Sequence, residues 1–306
     1  MKITRSKIIT LFLLAAVSVS LFAAGEIEST ETGKTKVAVS IAPQAFAVSR
    51  VAGDLVEVIT LVGPGQSPHN YETTPRQMAD LAESEAWFLS GTDFENALVP
   101  KVTALYPDLP VIDTTEGVTF RMMDEHSHED EHEDEHSHED EHDMVYDKHT
   151  WLSKDPYIIQ VNHIADTLSA IDAENASVYK ENAAEFITEI EQLFAQLRKD
   201  LAPLSGSTVF VYHPAFGYFL DEFNISQEAV ETGGKEPTAK TLAALIEEAQ
   251  EEEVKAIFVQ EQFPKEAAKS VADAVGAQVL SLDSLAYDWL ENIRKMGDTL
   301  IEASRL

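Results

Sequence analysis

At 306 residues, 44% of them hydrophobic, the chain is long enough to bury one large core or two smaller ones. Its 54 acids against 22 bases leave a formal net charge of −32, which excludes nucleic acid as a partner, because phosphate contacts need clustered Lys and Arg, and suits cations instead. The absence of cysteine excludes disulfides, thiolate metal sites, cysteine nucleophiles and lipid attachment at a cysteine.

In chain order, residues 1–25 read as an export signal: Lys2, Arg5 and Lys7 precede an apolar run from Ile8 to Phe22, and Ala23-Ala24-Gly25 supplies small residues for cleavage. That run is shorter than the roughly 20 residues a membrane span needs, so a periplasmic or otherwise extracytoplasmic location is expected. Then "KVAVSI" (36–41), "VEVITLV" (56–62), "AWFLS" (86–90) and "PVID" (110–113) predict short buried strands. Helical patterns at 44–52, 75–84 and 94–106 separate them. From Asp124 to Asp143 a ten-residue unit is written twice, "DEHSHEDEHEDEHSHEDEHD", with 12 acids and six of the chain's ten histidines. Pro156 is expected to open the next helix.

Tyr179, Ala183, Phe186, Ile187, Ile190, Leu193, Phe194, Leu197 and Leu201 then recur at spacings of three and four, one apolar stripe on a long helix. With Asp172 as N-cap and Pro203 as stop, a helix over 173–201 would be about 40 Å long, enough to join two lobes. Strands follow at "TVFVY" (208–212), "SQEAV" (226–230), "KAIFVQ" (255–260) and "QVLSL" (278–282), with helices at 214–223, 238–252, 264–275 and 285–304. The predicted fold is α/β: two lobes, each a small, mostly parallel four-stranded sheet flanked by helices, joined by one long rigid linker helix. The lobes take residues 26–171, including the acidic His-rich loop 124–143, and 204–306, with the linker over 172–203.

The residues able to carry chemistry are single histidines in turns. His213 directly follows "TVFVY" and precedes Pro214, at the carboxyl end of a strand, where open α/β sheets bind ligands. His69 lies in "GPGQSPHNYETTPRQ", a turn shaped by Gly and Pro after a strand. His149 lies in "DKHTWLSKDP", between the repeat and the next helix, and Asp283 ends "QVLSL" at another strand edge. Three imidazoles and one carboxylate suit a tetrahedral divalent site, and zinc favours such nitrogen-rich ligation. His163 falls within a helical pattern and is read as an ordinary helix residue.

In order, "GPGQSPHNYETTPRQM", "KHTWLSKDP", "VYHPAFGYFL", "GKEPTAKTL", "IFVQEQF" and "SLDSLAYDWLENI" resemble the metal-binding solute-binding proteins of ABC transporters, the zinc-uptake members most closely. The resemblance runs from Lys36 onward. It implies two lobes on one long helix with small lobe motion, Zn²⁺ as the transported ligand, a membrane permease as partner, a monomer, and no enzymatic activity. It implies His69, His149 and His213 as ligands; manganese members tend to carry a carboxylate at the third position, so His213 favours zinc. Asp283 matches the acid of the usual "LDPL", with Ser284 in place of Pro. Pro68 excludes a glutamate before His69, and Gln260 replaces the usual glutamate of "FVEPQF", with Glu261 at its proline.

The repeat has no apolar residue with which to build a core. Its histidines, His126, His128, His132, His136, His138 and His142, are read as secondary, weaker metal ligands that gather zinc. The alternatives are manganese on the same scaffold, a secreted zinc hydrolase with a metal-bound water, and a metal buffer or adhesin.

Overall fold

The computed structural model describes residues 34–123, 146–231, 239–260, 262–263 and 265–306. The expected export signal, the repeat with its six histidines, and Glu261 lie outside the described residues. Among those described, no helix is long and apolar enough to cross a membrane.

The first sheet holds β1 (Thr35–Val39), β2 (Val56–Thr60), β3 (Ala86–Leu89) and β4 (Val111–Asp113), in the order β2-β1-β3-β4. The second holds β5 (Thr208–Val211), β6 (Ser226–Ala229), β7 (Ala256–Val259) and β8 (Gln278–Ser281), in the order β6-β5-β7-β8. Every ladder in both sheets is parallel. The strand sequences explain this: Val37, Ala38 and Val39 are all fully buried, as expected of a strand covered on both faces by crossover helices. In each sheet the strand order reverses beside the first strand, which opens a crevice at the carboxyl edge.

The helices of the first half are α1 (Ala42–Ala52), α2 (Pro75–Ala82), α3 (Asp93–Leu105) and α4 (Lys154–Ile171). The long helix α5 (Ala176–Asp200) has 25 residues, about 37 Å at 1.5 Å per residue. The second half adds α6 (Gly217–Asp221), α7 (Ala239–Glu251), α8 (Lys265–Val275) and α9 (Trp289–Ala303). The stripe Tyr179, Ala183, Phe186, Ile190, Leu193, Phe194 and Leu197 is buried. It packs α1 and α4 on one side and α9 on the other.

One apolar core therefore runs from the first sheet, across α5, to one face of the second sheet. The other face of the second sheet has its own cluster, in which Phe210, Tyr212, Ile257 and Val259 meet Leu245, Ala249, Val271 and Ala272.

Where α9 crosses α5, a Cβ on Gly297 would stand 2.5 Å from Leu197 Cδ2. Both residues are buried, so the methyl has nowhere to go without moving Leu197. Gly297→Ala is expected to destabilise the protein by about 1–3 kcal/mol, the usual range for overpacking. Chemical denaturation checks this, and an unchanged midpoint would mean that Leu197 adapts freely.

Three local expectations are corrected. Asp172 does not cap the long helix; its carboxylate accepts from Tyr179 Oη (2.6 Å) and Asn175 Nδ2 (2.8 Å), and a 3-10 turn over Ala173–Asn175 precedes α5. Pro156 does not open α4, which starts two residues earlier at Lys154. Pro214 does not open a helix either: Ala215 N donates to His213 O at 2.7 Å, a tight turn that delays α6 to Gly217.

Candidate metal centre

His69 sits in the turn between β2 and α2. Gly65 takes a left-handed φ of +72°, and Gly63 N donates to Gln66 Oε1 at 2.8 Å. The far end is anchored by the capping pair of α2, in which Gln77 N donates to Thr74 Oγ1 (3.3 Å) and Gln77 Nε2 to Leu61 O (2.7 Å). His149 follows Asp147 and leads into a buried 3-10 turn, Thr150–Leu152. His213 continues β5, and Gln260 Nε2 donates to its carbonyl at 2.9 Å. Gln260 thus supports the backbone of His213.

These three segments, up to 144 residues apart, meet at one point. A ligand atom from each of His69, His149 and His213 lies within 4.8 Å of the others, forming a group able to hold a metal ion among the described residues. The ring centroids are 5.5 Å apart for His69 and His149, 4.8 Å for His69 and His213, and 5.3 Å for His149 and His213. His149 and His213 are buried, at 4% and 6% exposure, whereas His69 reaches the surface. The chamber they line holds only about 10 Å³, and Trp151, Phe263 and Leu285 also line it.

Each imidazole is oriented by a carboxylate. His69 Nδ1 meets Asp93 Oδ2 at 2.7 Å, His149 Nδ1 meets Asp147 Oδ1 at 2.8 Å, and His213 Nδ1 meets Glu231 Oε2 at 2.6 Å. A carboxylate only accepts, so each Nδ1 carries a proton, which leaves Nε2 as the ligand atom of a neutral ring. His69 Nε2 and His213 Nε2 stand 3.0 Å apart, a separation that a shared proton or a shared cation bridges.

The electrostatics keep the His213 imidazole neutral and the Asp93 and Asp147 carboxylates charged. Burial is the main cause that lowers His213 to about 4; Glu231 opposes it, and the neighbouring histidines add to it. Hydrogen bonding from His69 holds the Asp93 carboxyl well below the usual range, with Lys148 adding its charge against the cost of burial. For Asp147, burial pushes the carboxyl up, but His149 and Arg121 together pull it lower still.

Asp283, the fourth ligand expected, is not among the residues grouped with the three histidines. Its Oδ1 accepts from Leu285 N at 2.8 Å in the turn before α9, and it lines a cavity of about 170 Å³ beside Gln262 and Tyr287. His163 lies on α4 and its Nε2 donates to Glu116 O at 2.9 Å.

Asp93, Asp147 and Glu231 escaped the sequence reading, although signals existed. Asp147 stands two residues before His149, and Glu231 lies two residues beyond β6, as His213 lies two residues beyond its neighbour β5. Asp93 opens α3 after a turn gathered by Glu95, whose carboxylate accepts from Ser90 N (2.9 Å), Gly91 N (2.9 Å) and Thr92 N (3.0 Å).

Comparison with known proteins agrees with this architecture. The family described as zinc-uptake complex component A, periplasmic (ZnuA), matches residues 37–303. A crystal structure of ZnuA is similar with a TM-score of 0.80 at 33% identity, covering 89% of this chain and 99% of that one. FpvC from Pseudomonas aeruginosa, in complex with Mn²⁺, is similar with a TM-score of 0.73 at 25% identity, covering 89% and 99%. The high-affinity zinc uptake system protein ZnuA of Bacillus subtilis (strain 168) is 27% identical over 282 residues, 90% of this chain and 88% of that protein. The zinc-binding lipoprotein AdcA of Streptococcus pneumoniae (strain ATCC BAA-255 / R6) is 25% identical over 291 residues, 94% of this chain and 57% of that protein. The chain therefore belongs to the zinc-uptake complex component A family, the solute-binding proteins that present metal to ABC importers, and is a binding protein, not an enzyme.

Proposed function

We propose that His69, His149 and His213 together hold one Zn²⁺ for delivery to the membrane permease of an ABC importer. The observation that carries this reading is the convergence of the three rings, whose ligand atoms all lie within 4.8 Å of one another, with His69 Nε2 and His213 Nε2 3.0 Å apart. Two ligands of a tetrahedral zinc with bonds of about 2.0–2.1 Å would be about 3.3 Å apart. Zinc is favoured over manganese because the inner ligands are imidazoles, whereas manganese suits carboxylate and water. In this reading residues 26–171 and 204–306 form the lobes and 172–203 joins them. The protein works as a monomer outside the cytoplasmic membrane, exported by residues 1–25. The repeat at 124–143 supplies weaker, auxiliary zinc sites, and Asp283 is the candidate fourth ligand.

The chelated FpvC neighbour makes Mn²⁺ the rival. Metal-free protein given equimolar Zn²⁺ and Mn²⁺ is expected to retain one equivalent of zinc in its tight site after gel filtration. Retention of manganese at equal or greater occupancy would overturn the zinc assignment and leave the scaffold as a manganese carrier.

A further inference from the structure

Outside the three histidines, Arg121 is a charged side chain that joins distant parts of the chain. Its guanidinium faces two acids on different parts of the chain: Nη1 donates to Asp147 Oδ2 at 3.0 Å and Nε donates to Asp221 Oδ2 at 2.9 Å. Asp147 has its other oxygen on His149, accepting from both the backbone N (2.9 Å) and Nδ1 (2.8 Å). Asp221 ends α6, the helix that begins four residues after His213. Arg121 N also donates to Tyr218 Oη on α6 at 2.9 Å. In the other direction Arg121 O accepts from Asp147 N at 3.0 Å, and Met122 pairs with Tyr146 in an antiparallel bridge.

Gly217 completes the arrangement. A Cβ there would fall 1.9 Å from Arg121 Nη1 and 2.4 Å from Cζ, so the guanidinium lies flat on the α6 backbone in space that only glycine leaves open. The Asp147 side chain has no exposure and that of Arg121 only 16%. A fully buried carboxylate needs such a partner to stay charged.

We propose that Arg121 is a positioning residue for metal binding: it clips Asp147, the carboxylate that orients His149, to α6 of the other lobe. The inference rests on the reading of the three histidines as the zinc site. Displacing α6 would draw Arg121 off Asp147 and release the ring of His149 to turn, so movement between the lobes becomes loss of a metal ligand. The clip thus gives a permease that grips the second lobe a handle on the first lobe's histidine.

The test compares Zn²⁺ release into a chromophoric chelator by stopped flow for wild type, Arg121→Gln, Gly217→Ala and His149→Ala. Metal-free melting curves run beside it, and ¹⁵N NMR follows the His149 Nδ1–H. Losing an outer partner of a ligand typically weakens metal binding about 10–100-fold. Arg121→Gln and Gly217→Ala are each expected to speed release by about tenfold or more, with the His149 Nδ1–H resonance shifted or lost and melting little changed. Gly217→Ala removes no charge and no ligand, so it decides the matter if Arg121→Gln does not fold. Wild-type release from the folded Arg121→Gln or Gly217→Ala protein, with His149→Ala still losing the tight site, would overturn the clip and leave the zinc site standing. Tight binding retained by His149→Ala would instead remove the zinc reading, and the clip with it.

Discussion

His149→Ala and His213→Ala should each weaken Zn²⁺ binding by about a hundredfold to just under a thousandfold. Zinc held by four ligands in small protein sites is worth about 10–16 kcal/mol, so one ligand accounts for about 2.5–4 kcal/mol. Both rings are almost fully buried, and each is held at Nδ1 by a buried acid. Neither ring has freedom to be replaced by a neighbour. Alanine also strips a partner from Asp147 or Glu231, so part of the loss appears as reduced stability of the metal-free protein. His69 is more exposed, and a water can take its place, so His69→Ala should lose less. Chelator competition with melting curves on the same samples separates the two effects. Wild-type affinity in either buried-site variant would exclude that residue as a ligand.

The second large effect is on stability. Trp289→Ala should cost about 3–5 kcal/mol, the range for removing a buried tryptophan, and lower the melting temperature by roughly 10 °C. Trp289 is fully buried, stacked on Tyr157 with ring centroids 3.9 Å apart and planes 17° apart. Its Nε1 donates to Trp151 O at 2.6 Å, and Trp151 Nε1 donates in turn to Ser284 O at 2.6 Å. This relay fixes the turn that carries His149, so zinc affinity should fall with stability. Trp289→Phe retains an aromatic ring but not the donor, and should lose about half as much. Calorimetry of the metal-free proteins measures both, and a shift of less than a degree for the alanine variant would contradict the packing described.

The central strands were legible because each is a short run of apolar residues bounded by turn residues, and parallel pairing buries both faces. "KVAVSI" and "AWFLS" are runs of this kind, whereas Ser226–Ala229 and Gln278–Ser281, at the sheet edges, are more polar and more exposed. The three histidines were legible because each stands beside a strand end or a loop with shaping Gly and Pro. Asp283 obeys the same rule yet does not join them. Strand-edge position shows which rim a residue occupies, not which way its side chain turns, and the amide of Leu285 captures this one. The start of α6 was misread for a similar reason: Pro214 suits a first helical position, but the turn closed by Ala215 N onto His213 O takes the backbone elsewhere. The outer acids lie within 24 residues of their histidines but share no spacing that singles them out, whereas Arg121 was not legible because its partners Asp147 and Asp221 lie 26 and 100 residues away.

The small size of the histidine chamber has a further consequence. About 10 Å³ is scarcely room for one water molecule, so an ion cannot arrive wearing its hydration shell. On the reading of the three histidines as the zinc site, magnesium, which sheds water reluctantly, and calcium, which demands six to eight oxygens, are disfavoured at this step. Selection then becomes a matter of desolvation, and the ions favoured are those for which three nitrogen donors compensate the water left behind.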